Sequence, residues 1–173
     1  GEQIRRANAL YLALHGTEDA GVATAEPADL QALDAALEAA WSQLPDRLGL
    51  PAAAGWRRGP VKELWISPLL DRLGLSGFYF PFTGEANVND GVPILQRARV
   101  MSHEKAHQRG VGPEDEANFL GWYAAAIADH PHARYAAANF ASRQLLYTLP
   151  KAPRDSLVTT RLPGVQRDVV DLV

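Results

Sequence analysis

The chain has 173 residues, with 17 Lys and Arg against 20 Asp and Glu, a net charge of −3 and no cysteine. The length suits a single domain, and 47% apolar with 21% charged residues is a globular composition. The charge balance argues against nucleic acid as a partner, and the lack of cysteine excludes disulfides, thiolate metal sites and cysteine nucleophiles. No apolar run approaches the ~18–20 residues that span a bilayer.

Ile4, Ala7, Tyr11 and Leu14 recur at helical spacing and predict a helix over 3–14, ended by Gly16. A loop is expected from Gly21 to Pro27. Asp29 can then cap a helix to about Leu44, with Leu30, Leu33, Leu37, Ala40, Trp41 and Leu44 on one side. Pro45, Gly49, Pro51, Gly55, Gly59 and Pro60 predict an irregular stretch, followed by a short helix over 61–73 closed by Gly74. Ser76 to Phe82 is aromatic and extended, Thr83 and Gly84 form a turn, and Glu85 to Asn89 alternates like a strand. Pro81 places the first of these strands at an edge or ends it early. Three helices are predicted next: Pro93 to Arg109, stopped by Gly110; Pro113 to about Ala128; and about Pro131 to Leu149. One or two short helices complete the chain. The expected fold is mainly α (α+β), in one domain with a helical N-terminal part (1–60), a core (61–149) and a C-terminal helical segment (150–173).

The chemistry concentrates in His103-Glu104-Lys105-Ala106-His107, an HExxH motif within a predicted helix. Residues i and i+4 share a helix face, so both imidazoles can reach one ion. Neutral imidazole is a good Zn2+ ligand, and three protein ligands leave one position for water. Glu104, next to the first ligand, is placed to take a proton from a zinc-bound water and pass it to a leaving amine. Taken alone, the motif is also compatible with a solvated helix face. A metzincin would need a third histidine six residues after His107, where Pro113 stands. A glutamate remains as third ligand, and Glu114 and Glu116 both follow after one turn. Glu114 shares a face with Asn118, Gly121 and Ala125, whose small members allow close approach to the HExxH helix. Glu116 lies about 200° away with Phe119, Leu120 and Tyr123. That comparison favours Glu114, with Asn118 as a hydrogen-bonding residue that orients a ligating histidine. Acidic residues in a first helical turn are also favoured by the helix dipole alone.

Ser76 to Asn89, His103 to Gly110, Glu114 to Phe119 and the Arg134-Tyr135 pair together resemble the DUF3810 family of bacterial membrane proteins, over about Val61 to Leu149. The resemblance implies a zincin-like metallopeptidase domain with a small β element beside the HExxH helix. The glutamate helix is similar to the ExxxD pattern of gluzincins, which puts the ligand at Glu114, with Asn118 where many gluzincins have Asp. Membrane-spanning segments before residue 1 are implied too, with the catalytic domain extracytoplasmic and this fragment soluble.

Zincins carry an edge strand beside the cleft, which makes Glu85, Asn87 and Asn89 substrate-binding candidates; Phe78, Phe80 and Phe82 are expected in the core. An oxyanion donor is needed opposite the metal, and Tyr135 is chosen on the resemblance and on its helix following the glutamate helix. Trp41, Trp56, Trp65 and Trp122 are read as packing residues, and Arg57, Arg58 and Lys62 as a solvated basic cluster. The expected function is zinc-dependent hydrolysis of a peptide or protein at or near a membrane. A catalytically silent module that keeps the zincin scaffold for binding or sensing is the alternative.

Overall fold

Asp29 acts as its chemistry suggests: its carboxylate accepts from the Ala32 N–H at 2.9 Å and starts α2 (Leu30–Trp41). In the computed structural model, which describes residues 1–25, 29–64 and 72–170, helix α1 (Glu2–His15) comes first. It ends on Gly16 at φ 67°, in the left-handed region that suits glycine. The second helix stops at Trp41, before the expected Leu44. There a separate short helix, α3 (Leu44–Leu48), begins with Pro45 in its first turn. Proline lacks only an N–H that has no intrahelical partner at that position, so it starts this helix rather than breaking it.

Lys62–Leu64 forms strand β1, where the sequence predicts the start of a helix. The rest of that predicted helix, with Trp65, lies mainly outside the described residues. Lys, Glu and Leu are good helix formers, but this segment pairs in parallel with β3 (Glu85–Asn89), and tertiary pairing overrides the local preference. Strand β2 (Gly77–Phe80) pairs with β3 from the other side, antiparallel, giving the order β1-β3-β2. The extra strand matters for the site, because β3 becomes central and β2 is left at an edge. Phe80 (44% exposed) and Phe82 (89%) therefore stand at the surface with rings 5.6 Å apart, contrary to the expected core placement. Trp56, also read as a packing residue, is exposed.

The rest is helical: α4 (Ile94–Gln108), α5 (Glu114–Ile127), α6 (Pro131–Tyr147), α7 (Lys151–Val158) and α8 (Pro163–Val170). Helix α4, which carries HExxH, is the hub; it packs on α5 and α6 and on strands β2 and β3. The main core joins Leu33, Leu37, Trp41 and Leu44 to Val88, Val100, Met101, Ala106, Ala117 and Ala124. A smaller core of Ala7, Tyr11, Leu95, Tyr135, Ala138 and Val165 ties α1 and α8 to α4 and α6. Among the described residues no helix is long and apolar enough to cross a membrane.

Two features of α4 fix its seat. A Cβ at Gly121 of α5 would lie 2.8 Å from the His103 nitrogen, 2.9 Å from its Cα and 3.1 Å from the Ser102 carbonyl carbon. The small face expected for α5 is thus used for direct contact with the backbone that bears the first histidine. On the other side Lys105, fully buried, reaches Asp34 and Glu38 of α2, both at 2.9 Å. Arg109, likewise buried, donates to Glu38 at 2.5 Å and stacks over Trp41. Burial pushes the Glu38 carboxyl up, but Lys105, the Arg58 N–H and Arg109 more than offset it and hold it below the ordinary range. These buried charges are fully paired, so α2 and α4 are locked in one register.

Candidate metal centre

The HExxH spacing has the result that helix geometry demands. His103 and His107 point the same way, with their Nε2 atoms 3.1 Å apart and rings nearly perpendicular. Beyond α4, Gly110 at φ 84° turns the chain, and Glu114, first residue of α5, returns to the same spot. One Glu114 oxygen lies 3.2 Å from His103 Nε2 and the other 3.4 Å from His107 Nε2. Three donor atoms each about 2.0–2.1 Å from a tetrahedral zinc lie about 3.3–3.4 Å from one another. The two imidazole nitrogens, and each nitrogen with its nearer Glu114 oxygen, already have nearly this spacing. Among the described residues they form a cluster in which all ligand atoms fall within 4.8 Å of each other. Glu116 is absent from that cluster.

The tautomer is suitable as well. His107 Nδ1 is 2.7 Å from the Val111 carbonyl oxygen, which can only accept, so the ring donates there and keeps the Nε2 lone pair for a cation. Burial and the neighbouring His107 hold the His103 imidazole below its usual range, which favours the neutral ligand form. The histidine side chains are 12% and 15% exposed, whereas Glu114 is 74% exposed. The site thus has a dry wall and an open mouth.

Glu104 is 5% exposed, and its Oε2 is buried with no hydrogen-bond partner among the described residues. Burial, together with the charge of Glu114, pushes its carboxyl up to about 8, with Arg99 acting the other way. A cation held by the three donors would also favour its ionised form. Its Oε1 lies against β2, where a Cβ at Gly77 would come within 2.9 Å of it, 2.8 Å of the Asn87 carbonyl oxygen and 2.9 Å of a Val100 methyl. Glycine at that position lets the edge strand lie directly over the carboxylate.

The structure does not bring the other expected residues to the donors in the expected roles. Asn118 does not orient a histidine: its Oδ1 accepts from Arg99 Nη1 at 3.2 Å, while His103 Nδ1 has no partner. Asn87 and Asn89 are 4% and 3% exposed on the central strand and serve nearby backbone. Asn87 donates to the Glu85 and Phe78 carbonyls, and Asn89 donates to Leu75 and accepts from the Gly91 N–H. Glu85 pairs with Lys62 and accepts from the Thr83 hydroxyl, so the expected solvated basic cluster loses Lys62 to β3. Their strand cannot offer an edge because β1 covers it. Tyr135 is the plainest correction. It is fully buried in the smaller core, and its hydroxyl donates to Asp168 at 2.7 Å, which also accepts from the Thr24 N–H and hydroxyl. A hydroxyl so committed cannot meet a substrate oxyanion. Arg99, one turn before His103, was the polar neighbour the sequence reading missed; its i, i+4 spacing to His103 was the available signal.

A family model described as "Protein of unknown function (DUF3810)" matches residues 2–171, a wider span than the motifs alone mark out. No curated protein and no solved structure matches the chain.

Proposed function

The chain belongs to the DUF3810 family, and on that premise we propose that it is a zinc-dependent peptidase of zincin-like architecture. The observation that carries this reading is the spacing of the His103, His107 and Glu114 donors, at 3.1–3.4 Å, with the buried and unpartnered carboxylate of Glu104 beside them. His103, His107 and Glu114 would hold the ion. When bound, zinc supplies a Lewis acid for the scissile carbonyl and lowers the pKa of a coordinated water. Glu104 takes the proton from the attacking water and delivers it to the departing amine. Burial raises the proton affinity of this carboxyl, which favours uptake of the proton from water. The side of β2 away from β3, seated over Glu104 by Gly77 and paired with no strand among the described residues, offers backbone groups to an extended substrate. The exposed rings of Phe80 and Phe82 at the end of that strand give such a chain an apolar contact. No oxyanion donor is assigned to Tyr135.

The proposal extends to location. The motif resemblance supports an anchor upstream of residue 1 and a substrate at or near a membrane; fractionation of the full-length protein tests this, and recovery without detergent would count against it. For the chemistry, metal content and peptide hydrolysis are compared between wild type and Glu104→Gln. The reading requires zinc in both and hydrolysis in wild type alone. Equal hydrolysis by both removes Glu104 from the mechanism, and zinc without hydrolysis of a broad peptide pool favours the silent binding module.

A further inference from the structure

In a chain of net charge −3, unneutralised cations gathered in one place need an explanation. Between α4 and α6 lies a hollow of about 220 Å³ lined by Arg99, Asn139, Arg143 and Tyr147. A second hollow, of about 250 Å³, lies on the same side, sharing Arg143 and Tyr147 and adding Arg154 and Arg161; the two together form a trough. None of these four arginines has a carboxylate partner among the described residues. Arg99 donates to Asn118, Arg161 makes one long contact with the Ser142 hydroxyl, and the Arg161 Nε is buried without a partner. The core arginines behave otherwise: Arg97 is paired with Glu63 and Asp90, and Arg109 with Glu38. Burial and the charge of Arg143 lower the pKa of both Arg99 and Arg161, with the Glu104 carboxylate acting the other way on Arg99.

The trough also begins one helical turn from the metal centre, at Arg99. Residues 99, 103 and 107 form one stripe of α4, so Arg99 stands one turn, about 6 Å, from His103 along the axis. Its partner Asn118 stands one turn from Glu114. An extended peptide advances about 3.3 Å per residue, so a chain cleaved at the histidines enters the trough about two residues later. Guanidinium forks match a carboxylate in shape and charge. Asn139 narrows the choice of anion. It is 1% exposed, its Nδ2 is held by the Tyr135 carbonyl, and its Oδ1 has no partner. A lone acceptor in the wall is poorly matched to a phosphate, whereas a peptide terminus brings amide N–H groups with its carboxylate.

We propose that this arginine trough holds the C-terminal carboxylate of the substrate, so that the enzyme removes a segment of two or three residues from a free C-terminus. The assignment rests on the peptidase reading for its direction, but binding tests it separately. The Glu104→Gln chain is titrated with a pool of N-terminally labelled random hexapeptides, prepared as free acids and as C-terminal amides. The acids are expected to bind about tenfold or more tightly, the range for a charge-assisted contact. Arg143→Gln removes that preference and Arg143→Lys retains part of it, with unfolding temperatures unchanged; Arg154→Gln serves as the second variant if Arg143→Gln does not fold. Equal binding of acids and amides, no binding of either, or a preference that survives loss of both arginines overturns the assignment. So does binding of phosphatidylglycerol vesicles in place of the peptides. Zinc analysis of the same samples separates the two readings: an acid preference without bound zinc removes the peptidase and keeps the trough, and bound zinc without the preference does the reverse.

Discussion

Replacing Gly121 by alanine tests the geometry that joins α4 to α5, because two effects of known size act in opposite directions. In a helix interior, glycine to alanine stabilises by about 0.5–1 kcal/mol through propensity alone. Here the new methyl would sit 2.8–3.1 Å from three backbone atoms of Ser102 and His103, none of which can rotate away. The helices must separate by a few tenths of an ångström or more, and overpacking of this kind costs about 1–3 kcal/mol. The second effect outweighs the first, for a net loss of about 1–2 kcal/mol and a fall in Tm of roughly 2–8 °C. The displacement also acts at a distance. Gly121 lies two turns from Glu114 on the same face of α5, so moving α5 widens the His103–Glu114 spacing and weakens zinc binding. Thermal unfolding in chelator gives the stability change, and competition with a zinc indicator gives the affinity. A Gly121→Ala chain that is more stable than wild type and binds zinc equally well would refute the close-approach argument, since propensity alone predicts that result.

Three further outcomes follow. Tyr135→Phe keeps hydrolysis at the wild-type level and lowers stability by about 1 kcal/mol, the value of one buried hydrogen bond, measured by urea unfolding; loss of hydrolysis at unchanged stability would restore the tyrosine to the site. Glu38→Ala leaves Lys105 and Arg109 buried with less compensation and costs about 3 kcal/mol or more at pH 7. Because the Glu38 pKa is lowered on folding, its contribution is complete above the unfolded carboxyl range, near 4.5, and is lost as pH falls through the folded value. Wild type therefore loses more stability on acidification below pH 4.5 than Glu38→Gln, and parallel pH profiles would count against the pairing. Gly77→Ala, whose Cβ meets Glu104, Val100 and the Asn87 carbonyl, is expected to reduce kcat with zinc affinity retained; an unchanged kcat would separate β2 from the carboxylate.

Most helices were legible because their signals are local. Asp29 caps, Gly16 and Gly110 terminate, and the apolar spacing from Leu33 to Trp41 marks the buried face. The candidate donor cluster was legible for the same reason: HExxH is one helical turn, and Glu114 returns after one short loop. What could not be read depends on distant parts of the chain. Nothing within Lys62–Leu64 announces a strand, since its partner lies 25 residues on at Asn87 to Asn89. Missing that strand made Glu85, Asn87 and Asn89 look like edge residues. Lys105 resembles a solvated HExxH insert until α2 supplies Asp34 and Glu38, and Tyr135 looks available until Asp168, 33 residues later, takes its hydroxyl. Buried polar pairing across the chain leaves no periodic signature.

The central claim is that His103, His107 and Glu114 hold one zinc ion. Isothermal titration of metal-stripped protein with Zn2+, beside His103→Ala, His107→Ala and Glu114→Ala, addresses it most directly. One site per chain is expected in wild type, with affinity reduced by orders of magnitude in either histidine variant and clearly weakened in Glu114→Ala. Absence of a stoichiometric site in wild type, or the same affinity in all four proteins, would contradict it.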